Sequence, residues 1–192
     1  STVKRMLRNY TVTKVAHTPG KVVVQMDTTY WGRNFGLVLF MDAATHHILH
    51  HFFIRGKERI EDYKQGLAYL EHLGWEVAGV VADGLSGLKN SLIQTPYQYC
   101  QFHQAQRIRQ LLTLKPRMLA AQELQRIVSR LTQSNRSEFA HLLEDWRERW
   151  DDFLKEKTYE ENGVNFHYTH RKLRAAYRSL KEHLDQLFTY QD

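Results

Sequence analysis

Lys21-Val22-Val23-Val24-Gln25-Met26-Asp27-Thr28-Thr29-Tyr30-Trp31 is the stretch on which the fold turns. Its three consecutive valines predict a strand buried on both faces, because β-branched side chains suit a packed pleated surface. The run then meets a carboxylate. Aspartate is depleted in strands and costly to bury unpaired, so Asp27 is expected to reach solvent, to meet a cation, or to bind a metal ion.

Glu76-Val77-Ala78-Gly79-Val80-Val81-Ala82-Asp83-Gly84 repeats the arrangement, an apolar strand closed by an acid. If the two strands are neighbours, two negative charges meet at one sheet edge and repel unless something positive lies between. Mg²⁺ (or Mn²⁺) takes hard oxygen ligands and is typically held by one or two carboxylates together with substrate phosphate oxygens. Asp27 and Asp83 are therefore candidate metal ligands and catalytic acids. Two such ions roughly 3.5–4 Å apart activate an attacking oxygen and stabilise a leaving one in phosphoryl transfer. Gly84, with no side chain, is expected to let a ligand approach closely.

Composition bounds this reading. The chain has 192 residues, 42% of them hydrophobic and 25% charged, which is ordinary for a globular protein with one full domain and an appendage. Its formal net charge of +6 favours polyanionic partners and so brings nucleic acid into view. A single cysteine, Cys100, excludes an intrachain disulfide and suits a reducing compartment. No apolar run approaches the ~18 residues of a membrane span and no signal peptide is visible, so a cytoplasmic protein without membrane contact is expected.

In chain order, residues 1–15 carry Val3, Met6 and Leu7 on one side of a short helix and Lys4, Arg5 and Arg8 elsewhere. This reads as the remnant of a helix-turn-helix DNA-binding domain, or as a basic fraying terminus. Thr18-Pro19-Gly20 punctuates the chain before the valine strand. A second buried strand covers Phe35 to Met41, Asp42 is expected in a turn, and His46 to Ile54 forms the third strand. His46, His47, His50 and His51 come as adjacent pairs that face opposite ways along a strand, which does not suit a zinc cluster. Ile60, Tyr63, Leu67, Leu70 and Leu73 mark a helix with Gly74 as its left-handed end. Beyond the Asp83 strand, Ser86 is expected to cap a short helix and Tyr97 to Phe102 to form another strand. The order predicts a mixed sheet flanked by helices, an α/β core over residues 16–112.

Residues 113–192 read as an all-α segment. Its apolar stripes run through Leu124 to Leu131, Phe139 to Leu154 and Leu173 to Leu187, with a capping box at Asn135 and Glu138 and a polar loop from Thr158 to Tyr168. Thr169 looks like the N-cap of the last helix, yet His170, Arg171, Lys172 and Arg174 crowd its first turns, where the helix dipole disfavours cations. That conflict marks the four as candidate phosphate contacts for DNA or RNA, against the alternative of a solvated basic face. Arg33 and Lys57 are further DNA-binding candidates. Cys100 and His103, with two residues between them, stand like half a zinc site, but no second pair with suitable spacing follows. His103 is expected to orient a carboxylate or a scissile phosphate.

The order Asp27-Thr28-Thr29-Tyr30-Trp31-Gly32-Arg33, then Asp83-Gly84, then Cys100-x2-His103, then a helical segment, resembles the Mutator-like bacterial insertion-sequence transposases. These are DDE enzymes with a ribonuclease H-like catalytic fold. The resemblance implies that Asp27 and Asp83 are the first two metal-binding acids and that residues 113–192 belong to a helical insertion. It also implies metal-dependent cleavage and strand transfer on DNA, as transposon ends and as target, by a nucleoid-associated bacterial protein that can pair as a homodimer.

The family's third acid is a Glu on a helix after the insertion, in an Asn-rich context that this sequence lacks. Glu182, on the last amphipathic helix beside Lys181 and Leu184, reads as a surface residue. The third acid is therefore expected downstream of Asp192, leaving this chain inactive or nearly so by itself. Two alternatives stay open: another kind of ribonuclease H-like nuclease, and a basic DNA-binding module without catalysis.

Overall fold

The computed structural model describes residues 18–161 and 163–191. The proposed helix-turn-helix remnant at residues 1–15 lies outside the described residues. A five-stranded mixed sheet of order β3-β2-β1-β4-β5 forms the centre. Strands β1 (Lys21–Trp31), β2 (Phe35–Asp42) and β3 (Ile48–Arg55) make an antiparallel meander, and β4 (Glu76–Ala82) and β5 (Tyr97–Tyr99) add to β1 in parallel. Helix α1 (Ile60–His72) crosses from β3 to β4. It lays Tyr63, Leu67 and Leu70 against Val24, Met26 and Phe40, all buried in one cluster. Gly74 ends it at φ +91°, a conformation in which only a residue without Cβ is unstrained.

Strand β1 departs from expectation. Its burial alternates: Val22, Val24 and Met26 are buried, while Val23 is 41% exposed. The valine run is thus covered on one face only, because α1 takes the even-numbered side. Valine's preference for strands does not depend on a second covering layer.

Other local readings meet the backbone. The Ala44 N–H donates to Asp42 Oδ1 at 2.9 Å and the Thr45 hydroxyl to Oδ2 at 2.7 Å, which makes Asp42 a turn residue. These bonds hold its carboxyl below the usual Asp range. The short helix α2 (Leu88–Ser91) begins at Gly87, in left-handed conformation, and not at Ser86. Strand β5 stops at Tyr99 because the backbone turns at Cys100 into helix α3 (Gln101–Leu112). Phe102 and His103 therefore sit on a helix.

Helices α4 (Leu119–Ser129), α5 (Arg136–Arg149) and α6 (Asp151–Lys155) follow. At the start of α5, Glu138 N–H donates to Asn135 Oδ1 at 2.9 Å and Asn135 N–H to Glu138 Oε2 at 3.1 Å, the reciprocal box read from the sequence. The stretch expected as a polar loop instead forms a hairpin, β6 (Lys157–Tyr159) with β7 (Phe166–Tyr168). Aromatic cross-strand pairing accounts for it: the Tyr159 and Phe166 rings lie 5.9 Å apart, with Lys157 Nζ 4.0 Å over Phe166.

Helices α7 (Arg171–Glu182) and α8 (Leu184–Leu187) and a closing 3₁₀ turn (Thr189–Gln191) then return to the sheet. Helix α3 packs along α7, where Gln104 Nε2 donates to Ser179 Oγ at 3.2 Å inside the contact. Gln98 Nε2 donates to the Leu187 carbonyl at 2.6 Å and Thr189 Oγ1 to the Tyr97 carbonyl at 2.9 Å, so the last turns clasp β5. One hydrophobic cluster runs from Val22 to Phe188 through sheet and helices alike. Among the described residues, no helix is long and apolar enough to cross a membrane.

Candidate functional site

The parallel pairing of β1 with β4 ends at Gln25 opposite Val81. Two residues further on come Asp27, still inside β1, and Asp83, the first residue past β4, where the two strands part. Asp27 Oδ1 accepts the Thr28 N–H at 2.9 Å, and His103 Nε2, in the first turn of α3, lies 3.8 Å from the same oxygen. Nδ1 of His103 is buried without a hydrogen-bond partner. Asp83 Oδ1 accepts the Leu85 N–H at 3.3 Å, and the Tyr97 hydroxyl holds the Asp83 carbonyl at 2.6 Å.

The site's electrostatics are those of crowded acids. Burial raises the Asp83 pKa above its ordinary value, and the negative charge of Glu58 raises it further. His103 and the Leu85 N–H act the other way, and Asp27 adds a smaller repulsion. Asp27, inside β1, and Asp83, just past β4, thus form one electrostatic group with Glu58 and His103.

Glu58 is the member that sequence reasoning missed. It lies in the loop between β3 and α1 and is fixed from two sides: its N–H donates to the Tyr30 hydroxyl at 2.8 Å, and Tyr63 donates to its Oε2 at 2.7 Å. The Tyr63 oxygen is also 2.8 Å from Thr28 Oγ1. The phenol's one proton goes to Glu58, so Thr28 donates to Tyr63 and a three-residue chain connects β1 to the loop. Burial drives the Tyr63 pKa far up, which keeps the phenol a donor. The available signal was Tyr63 itself, because a tyrosine on a core stripe needs an acceptor for its hydroxyl. Glu58→Gln removes a neighbouring negative charge, so the Asp83 pKa is expected to fall; side-chain carboxyl chemical shifts followed through an acid titration measure it.

Among the described residues, no group of three or more His, Cys, Asp or Glu is placed to hold a metal ion together. The donor set on offer is the Asp27 and Asp83 pair, all oxygen and negatively charged. That fits an ion such as Mg²⁺, which keeps several waters and takes one or two carboxylates. Gly84 lines a small cavity together with Lys89, Asn90, Tyr99 and His183. A Cβ there would stand 2.3 Å from the Tyr99 hydroxyl, so the glycine makes room for Tyr99.

The chain matches no protein-family model, no curated protein and no solved structure. Its functional reading therefore rests on this geometry and on the sequence resemblance.

The candidate DNA contacts separate into two groups. Arg33, in the β1–β2 turn, and Lys57, beside Glu58, are exposed at the end of the sheet that carries the acids. Arg171 and Lys172 are also exposed. His170 and Arg174 are engaged internally. His170 stacks on Phe153 with centroids 3.7 Å apart and meets Glu156 Oε2 at 2.8 Å. Arg174 donates to the Leu154 carbonyl at 2.7 Å and lies 3.6 Å over the Tyr168 ring. Thr169 is not the cap of α7: its hydroxyl meets that of Thr158 at 2.9 Å and it closes the hairpin, while His170 holds the cap position. The cations in the first turn of α7 are thus partly structural, tying the helix to the hairpin.

Proposed function

We propose that this chain is the catalytic-core portion of a DNA transposase of ribonuclease H-like fold, acting by metal-dependent phosphoryl transfer. The observation that supports the reading is the β1–β4 register, whose last pair, Gln25 with Val81, stands two residues before Asp27 on one strand and two before Asp83 on the other. A mixed five-stranded sheet flanked by helices, with acids where β1 and β4 part, supports it.

Asp27 and Asp83 would hold Mg²⁺ (or Mn²⁺), and the ion when bound supplies neutralisation and polarisation of the phosphodiester. The chain's own residues prepare the place. The Thr28 N–H fixes Asp27, the Leu85 N–H and the Tyr97 hydroxyl fix Asp83, and His103 stands beside Asp27 to orient the carboxylate or the scissile phosphate. Positioning and charge stabilisation are then the protein's contribution to the cleavage of transposon ends and their joining to target DNA.

Binding of Mn²⁺, measured by its electron paramagnetic resonance signal, tests the reading. Wild-type protein is expected to take up the ion, and Asp27→Asn to weaken uptake about tenfold or more. Equal uptake by both proteins overturns the reading.

A further inference from the structure

The odd-numbered face of β1 that carries Asp27 continues through Thr29 to Trp31 and is not capped by α1. The β1–β2 register pairs Trp31 with Phe35 and Asp27 with Leu39, and the β2–β3 register pairs Leu37 with Phe53 and Leu39 with His51. Paired residues in an antiparallel ladder point to the same side, so these side chains share one face of the meander.

Its outer end is aromatic and open. Trp31 is 54% exposed, Phe35 43% and Phe53 60%. The rings form a continuous row, with Trp31 and Phe35 centroids 6.0 Å apart and Phe35 and Phe53 stacked at 5.1 Å. Leu37, Leu39 and Met41 on the same face stand outside the buried cluster and outside the residues packed against it. Arg33, Arg55 and Lys57 surround the aromatic end, all exposed and, among the described residues, in no ion pair.

We propose that this row is a stacking platform for unpaired bases of the nucleic-acid strand whose backbone reaches the Asp27 edge. The proposal rests on the phosphoryl-transfer reading of that edge and adds what lies next to the scissile position: bases out of the duplex. Aromatic rings accept the π-face of any base, and the surrounding cations suit its phosphates. Trp31 lies four residues beyond Asp27, roughly 13 Å along the strand, or about four stacked steps of a nucleic-acid strand. A second copy of the chain is the poorer occupant. A two-fold pairing of this patch would bring Arg33, Arg55 and Lys57 of each copy against the same cations of the other.

The test compares a labelled single-stranded DNA oligonucleotide with the duplex of the same sequence, by fluorescence anisotropy, for wild-type protein, Trp31→Ala, Phe53→Ala and the double variant Arg33→Ala/Lys57→Ala. Each aromatic variant is expected to lose about tenfold in single-strand affinity while duplex affinity stays within about twofold and the salt slope is unchanged. The double variant is expected to lose affinity for both DNAs and to show a shallower salt slope. Undiminished single-strand binding by Trp31→Ala and Phe53→Ala overturns the platform, as does an equal loss on the duplex. A dimer that Trp31→Ala converts to monomer in sedimentation equilibrium also overturns it, in favour of a second copy on this face. Failure here is separable from failure of the metal reading. Trp31→Ala that keeps both single-strand affinity and Mn²⁺ uptake sinks the platform alone, whereas loss of single-strand binding beside Mn²⁺ uptake that is indifferent to Asp27→Asn leaves the platform standing.

Discussion

Asp83→Asn is expected to change two properties in opposite directions, weakening divalent-ion binding and raising the melting temperature of the metal-free protein. The first effect follows from losing one of two oxygen anions where β1 and β4 part, and is expected to reach about tenfold or more in Mn²⁺ affinity. The second follows from linkage. The folded-state pKa of Asp83 lies above its ordinary value because of burial and the Glu58 charge, so the folded chain holds that proton more tightly than the unfolded one. Stability is then lost as pH rises from the ordinary Asp range through the raised value. Above that raised value the charged carboxylate opposes folding, and an uncharged isostere relieves this. The gain should fade as pH falls below the ordinary Asp pKa, where the wild-type side chain is protonated in both states. Thermal melts followed by circular dichroism at about pH 7 and about pH 3.5 check it. A lower melting temperature for Asp83→Asn at neutral pH would make the carboxylate a structural hydrogen-bond acceptor and remove the argument that the site holds unrelieved charge.

What the sequence revealed of this arrangement, and what it hid, divides along one physical line. Signals written in neighbouring residues were legible. An apolar run closed by an acid marks a strand end at Asp83, although the same pattern at Asp27 falls inside β1. Asp42 two and three residues before its partners marks a turn, Gly74 after an amphipathic stripe marks a helix end, and Asn135 with Glu138 marks a helix start. Features set by what lies on top of an element were not. Val22-Val23-Val24 has the same composition whether one face or both are covered, so the open face of β1 could not be read from it. Glu58 carries no local pattern, since its place beside Asp83 depends on the end of β3, the start of α1 and the Tyr63–Thr28 hydrogen bond together. The β6–β7 hairpin was hidden because its stabilisation is cross-strand aromatic contact over a polar turn. The first turn of α7 misled for a related reason: His170 and Arg174 read as free cations because Phe153, Glu156, Leu154 and Tyr168, which engage them, come earlier in the chain.

Gly66→Ala is expected to destabilise the fold although alanine is the better helix former. Within α1 the exchange should gain about 0.8–1 kcal/mol from backbone propensity. Packing opposes it. A Cβ on Gly66 would stand 2.0 Å from Cζ of Phe40, 2.3 Å from Cε2 and 2.6 Å from Cε1. The Phe40 ring has no room to yield: it is fully buried, with Tyr63, Phe52 and His50 rings about it at 6.3, 6.0 and 5.7 Å. Overpacking of this kind costs about 1–3 kcal/mol and occasionally more, and three contacts below 3.0 Å put this position at the upper end. The net loss is then about 1–2 kcal/mol, a fall of roughly 2–8 °C in melting temperature for a chain of this size. The relief open to the protein is for α1 to lift away from β2, which would stretch the 2.8 Å Tyr63–Thr28 bond and loosen the hold on Glu58. The same variant should therefore lower the Asp83 pKa as the Glu58 charge recedes, although Gly66 touches none of the acids. Trimming the obstacle separates the two contributions. In a Phe40→Leu background, Gly66→Ala should turn neutral or stabilising, because the propensity gain remains and the ring is gone. A single Gly66→Ala that melts at or above wild type would mean that α1 has slack against β2, and that the Thr28–Tyr63–Glu58 chain is not held by packing.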